Sequence, residues 1–197
     1  MNLSTIGLLL LAIAQIAVPL QMILQQETVL KKGALFRFKT EPIDPVDPLQ
    51  GRYVWLSIQE NYVALSPEAT AEIDYRSLGY ASISVDKDGF ARFDSWSEER
   101  PDKTSNYIRT KALGDAYEWI TTADEERKRS HKGMYIDIPF DRFYMDEKKA
   151  PRAERIARDA SLENNCWVEV RIFNGKAVIE DVLIEGESLR DLANTVE

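Results

Sequence analysis

Hydrophobic positions along the chain fall into three successive patterns. The first is continuous. From Leu3 to Leu24 no side chain is ionisable, and Leu, Ile, Ala, Val and Met dominate. At 1.5 Å per residue a helix of this length is about 30 Å long, the thickness of a bilayer's hydrocarbon core. Ser4, Thr5, Gln15 and Gln21 interrupt the run with uncharged polar groups, which lipid-spanning helices accept more readily than charges. Pro19 removes one backbone hydrogen bond and predicts a kink in the last turns. A cleaved signal peptide is the competing reading. However, no Lys or Arg precedes the run, and the run exceeds the usual core of roughly 7 to 15 residues. The small-x-small pattern Ala12-Ile13-Ala14 also falls too early for cleavage. The expectation is a transmembrane anchor over residues 1–26, followed by a linker over 27–33.

The second pattern has period two and predicts strands. In Ala34–Thr40, Phe36 and Phe38 share one face, and Leu35, Arg37 and Lys39 the other. In Tyr53–Glu60, Tyr53, Trp55 and Ser57 share a face while Val54, Leu56 and Ile58 form an aliphatic face directed to the core. Tyr80–Val85 and Phe90–Trp96 flank Asp86-Lys87-Asp88-Gly89 and read as a hairpin; Asn106–Leu113 and Met134–Ile138 add strands, and Phe140–Met145 continues extended. Trp167–Phe173 and Lys176–Ile184 flank Asn174-Gly175, a strong short-range hairpin signal. The third pattern is helical. Ala153, Ile156, Ala157 and Ala160 fall on one face, with Pro151 in the first turn and Asn164-Asn165 at the end; Ser66-Pro67 predicts a short capped turn of helix. The predicted fold class is mainly β (α+β): an N-terminal transmembrane helix, then an antiparallel β domain over 34–186 with one helix in its C-terminal half and a closing hairpin. Residues 187–197 read as a frayed tail.

Composition narrows the function classes. The 197 residues hold 25 basic and 33 acidic side chains, a net charge of −8, which disfavours nucleic acid as a partner. Acidic residues surround the basic cluster Arg127-Lys128-Arg129, and Thr121–Lys132 reads as an exposed charged loop or the end of a short helix. The single histidine, His131, lies in that segment and reads as a loop residue without companions for a transition metal. The one cysteine, Cys166, excludes an intrachain disulfide and reads as a small buried hydrophobe. Ser57 lies within a strand, with no glycine-rich elbow or adjacent base to activate it. Asp44 and Asp47 sit in a proline frame and read as turn caps, too few oxygens for Ca²⁺. Neither metal nor cofactor is expected.

The segment joining the first two strands is the most distinctive. Asp44-Pro45-Val46-Asp47-Pro48-Leu49 is stiffened by its prolines, and Gly51-Arg52-Tyr53-Val54-Trp55-Leu56-Ser57-Ile58 follows directly. Together with the mid-helix Gln, the step Leu30 to Gly33, and the later segment Asp141-Arg142-Phe143-Tyr144-Met145-Asp146-Glu147, this resembles the GDYXXLXY family of bacterial membrane-anchored proteins. Gly51, Tyr53 and Leu56 keep the motif that names the family, whereas Arg52 replaces its Asp and Ile58 its final Tyr. The resemblance covers most of the chain. It implies an anchored β domain accompanying a multi-span integral membrane protein, with Asp44, Asp47, Gly51, Tyr53, Leu56, Phe143, Tyr144 and Glu147 as candidate binding residues. No catalytic set is identified.

The expected function is a non-catalytic binding or assembly module in the bacterial inner membrane. One alternative is a hydrolase or peptidase-like enzyme using Asp44, Asp47, Asp141 and Glu147. Another is capture of a small ligand or peptide in an aromatic groove beside Tyr53 and Trp55. Lys31, Lys32, Arg37 and Lys39 follow the helix and favour a cytoplasmic domain by the positive-inside rule. The resemblance implies an extracytoplasmic one, and that is the expectation adopted.

Overall fold

The computed structural model describes residues 3–41, 53–102, 104–121 and 127–194. Helix α1 (Leu3–Lys32) runs without interruption through Pro19 and through the span 27–32. The predicted linker is thus the end of the helix. A single residue, Gly33, separates it from β1 (Ala34–Glu41). The last turns of α1 lie on the domain: Val29 is 2% exposed, and its carbonyl accepts a 2.8 Å bond from the Gly33 amide. A Cβ at Gly33 would stand 2.5 Å from that carbonyl oxygen and 2.9 Å from the Ile172 nitrogen. Only glycine lets the helix end this close to the sheet.

That sheet runs in the order Glu187–Ser188 (β12), Lys176–Ile184 (β11), Cys166–Phe173 (β10), β1 and Ser57–Ile58 (β3). Its middle is the hairpin β10 (Cys166–Phe173) and β11 (Lys176–Ile184), turned by Asn174 and Gly175, both at positive φ as a two-residue hairpin loop requires. β1 lies antiparallel on β10, with Arg37 opposite Glu169 and a 2.9 Å ion pair between them. The alternation expected for β1 holds: Phe36, Phe38 and Thr40 are buried, Leu35 and Arg37 exposed.

The second unit is a closed barrel in the order β4-β6-β5-β7-β8: β4 (Tyr62–Val63), β5 (Leu78–Val85), β6 (Ala91–Ser97), β7 (Tyr107–Thr121) and β8 (Arg127–Ile136). Asp86 forms the predicted turn between β5 and β6, its carboxylate accepting from the amides of Asp88 and Phe90. Short α2 (Pro67–Ala71) begins at Ser66, whose hydroxyl accepts from the Ala69 amide. Phe38 of β1 joins sheet and barrel: fully buried, it stacks on Phe93 of β6 at 5.6 Å and meets Phe140 at 5.2 Å.

Four further expectations change. The charged segment before Met134 is neither loop nor helix from Arg127 onward. It is the first half of β8, paired with β7 from Thr121↔Arg127 to Tyr117↔His131. Register supplies the reason: Arg129 lies over the Tyr117 ring at 3.9 Å and Arg127 over Trp119 at 5.8 Å, so each cation has an aromatic face to rest on. His131 is consequently no loop residue. Its ring packs edge-on against Tyr117, and its Nε2 lies 3.6 Å from an Asp115 carboxylate oxygen. The strand predicted over Tyr53–Glu60 is two, β2 (Tyr53–Trp55) and β3 (Ser57–Ile58), because the chain changes partner at Leu56. Finally, the tail folds over its described residues, 187–194. Positive φ at Glu185 and Gly186 reverses the chain into β12 (Glu187–Ser188) and α4 (Leu189–Leu192), burying Leu189 completely.

Helix α3 (Ala150–Leu162) packs Ala153, Ala157 and Ala160 inward and ends before Asn164, in the left-handed conformation. Its Ser161 hydroxyl lies 2.9 Å from that of Thr40, which also donates to the Cys166 carbonyl. Cys166 is buried as expected, and burial pushes its thiol pKa up, against the smaller opposing effect of the Thr40 and Ser161 hydroxyls.

Two outcomes follow. Gly33→Val should lower unfolding stability in detergent by about 1–3 kcal/mol through overpacking, whereas Gly7→Ala, where an added Cβ meets nothing within 4 Å, should leave it unchanged. Because the folded Cys166 thiol holds its proton to higher pH than the unfolded one, stability should be level below the ordinary thiol value of about 8.5 and fall as pH rises beyond it. The Cys166→Ala protein should lose that decline in a urea titration repeated across pH.

Candidate functional site

The two segments that carry the family resemblance meet in space. β2 pairs antiparallel with β9 (Arg142–Tyr144), with Tyr53 opposite Tyr144, Val54 opposite Phe143 and Trp55 opposite Arg142. At Leu56 the ribbon is tied once more, through a 2.8 Å bond from its amide to the Asp141 carbonyl. The chain then passes to β1, where Ile58 pairs with Thr40 and Ser57 with Glu41. Val54, Leu56 and Ile58 therefore stay on the buried side although their strand partner changes.

Alternation sorts the site residues by face. Leu56 and Phe143 belong to the interior, Phe143 being 2% exposed with the Arg190 guanidinium 4.6 Å from its ring centre. The outer face carries Tyr53, Trp55 and Tyr144. Tyr53 stands 6.4 Å from Trp55 and 5.9 Å from Tyr144, ring centre to ring centre, and its ring is tilted against both. Trp55 and Tyr144 are 45% and 68% exposed. Arg142 completes this face, its guanidinium 5.2 Å from the Tyr53 ring centre and its Nε 3.6 Å from an Asp141 oxygen. A hydrogen bond with Tyr144 and the Asp141 carboxylate raise the already high pKa of Arg142, so the cation is permanent. Arg142 was not singled out from the sequence; its position opposite Trp55 depends on the register of two strands separated by more than eighty residues.

Asp44, Asp47 and Gly51, with Arg52, lie outside the described residues. Asp141 and Glu147 are both at the surface beside β9. Among the described residues no group of three or more His, Cys, Asp or Glu side chains is placed to hold a metal ion. The cavity beneath Trp55, between β1, β2 and α3, is about 20 Å³ and is floored by Thr40, Ala157 and Ser161. Small-molecule sites are typically about 300–1,000 Å³, so the described residues form no ligand-sized aromatic pocket there. What they present is an exposed patch of three aromatic rings and one guanidinium, side-chain types enriched at protein–protein contacts.

The family described as GDYXXLXY protein matches residues 15–182, from the middle of α1 to β11. The chain belongs to the GDYXXLXY family. No curated protein and no solved structure matches it.

The two faces should separate under mutation. Phe143→Ala should cost about 3–5 kcal/mol of stability, as for a buried aromatic. Tyr144→Ala should change it by no more than about 0.5 kcal/mol. Equilibrium unfolding of both variants checks the assignment.

Proposed function

We propose that this chain is a membrane-anchored, non-catalytic binding or assembly module that docks on a multi-span integral membrane protein in the bacterial inner membrane. The anchor is α1, which is long and apolar enough to cross a bilayer. The observation that carries the reading is the joint at Gly33. A catalytic domain on a flexible tether needs no fixed attitude to its membrane, but this domain receives the helix end into its sheet through a single residue. A fixed attitude serves a domain that must meet a second membrane-embedded body at a defined height and angle.

The exposed face of the β2–β9 ribbon supplies the contact surface. Trp, Tyr and Arg are the residues most often found to dominate binding energy at protein interfaces, and Tyr53, Trp55, Tyr144 and Arg142 place all three types on one face. The Asp that would complete the family's motif is Arg52 here, which removes a carboxylate from the segment and supports recognition over chemistry. We place the domain outside the cytoplasm, as the family resemblance implies.

Affinity purification of the full chain from bacterial membranes in mild detergent should recover one specific multi-span protein. The double variant Trp55→Ala/Tyr144→Ala should reduce its yield at least tenfold while the fold is retained. Recovery of background proteins alone after cross-linking would refute docking. A reporter fused after Glu197 that is active only in the cytoplasm would refute the assigned side.

A further inference from the structure

The β10–β11 turn does more than reverse the chain. It projects past the start of β1 and rests on α1, where the Lys176 ammonium donates to the Gln25 side-chain carbonyl. Beside this contact a groove of about 550 Å³ runs along the helix, walled by Ala17, Leu20, Gln21 and Leu24 and closed at its upper end by Phe173 and Lys176. The groove straddles a boundary: Ala17 to Leu24 belong to the apolar run, whereas Gln25, Lys176 and Asn174 lie beyond it.

We propose that this groove seats the end of a transmembrane helix of an integral membrane partner. The inference rests on the proposed docking role and names the element that would dock. Three features choose the occupant. The Gln21 amide has no hydrogen-bond partner among the described residues, although it sits within the apolar run. Lipid tails cannot bond it, but a Ser, Thr, Asn or Gln of a neighbouring helix can. Ala17, one turn below, is small enough to let a second backbone approach closely. At the upper end Lys176 faces the place where an occupying helix must stop, and it matches the partial negative charge of a helix C-terminus. The same stop argues against a second copy of this chain. A second α1 would continue as helix to Lys32, but the turn already occupies the face at Gln25.

A photo-activatable residue placed at Leu20 or Leu24 of the full chain, in native membranes, tests this. Cross-links to one multi-span membrane protein should form from these positions and not from Ile23, which lines neither side of the turn. Gln21→Leu should lower the cross-link yield about three- to tenfold, the effect of losing one inter-helix hydrogen bond in a membrane, and Gln21→Asn should restore most of it. Equal labelling from both faces, cross-links only to phospholipid, or cross-links to a second copy would each overturn the assignment. So would an unchanged yield with Gln21→Leu. Affinity recovery of the same membrane protein alongside any of those results would leave the docking role standing and remove only the groove. Recovery of no membrane protein would remove both.

Discussion

The closeness of helix to sheet at Gly33 is the constraint on which the other features depend. The Gly33 amide bonds the Val29 carbonyl and the Ile172 backbone lies close beside its Cα, so α1 and β1 meet with no room for a side chain at the joint. β1 is the inner strand between β10 and β3, so the helix end is fixed to the strand from which the sheet is built outward. Phe38 then passes that restraint to the barrel through Phe93. Helix α1, the sheet and the barrel are linked through Gly33 and the short strand that follows it.

The β2–β9 ribbon depends on the same strand. β3 pairs with the far end of β1, and Leu56 marks where the chain leaves β9 to do so. The ribbon's inner residues are fixed by packing, with Phe143 between the core and Arg190. Its outer residues make few demands on the fold.

Local signals were readable wherever residue type alone settles the geometry. Asn174-Gly175, Asp86 with Gly89, and Ser66-Pro67 each form the turn or cap their chemistry demands, and the buried faces of β1 and α3 follow from spacing. The barrel was not readable, because closure depends on β4, two residues long, pairing with β6 and β8. Such a strand leaves no period to detect. The Arg127–Lys132 strand was hidden for a different reason: its side chains are charged, and it is held by cation–aromatic contacts from a partner strand that charge patterning cannot foresee. The family resemblance located both halves of the ribbon, but not that they are paired. That fact is a register, and register is a property of the folded chain.

A joint without play has a mechanical consequence. A helix that spans a bilayer tilts when the bilayer is thinner than its apolar length, and with a single residue between α1 and β1 a tilt of α1 would be passed to the start of the sheet. β1 extends the lever by eight residues, about 26 Å at 3.3 Å per residue. A 10° change of tilt therefore displaces the aromatic ribbon by about 5 Å, enough to bring three rings into register with a neighbouring surface or take them out of it.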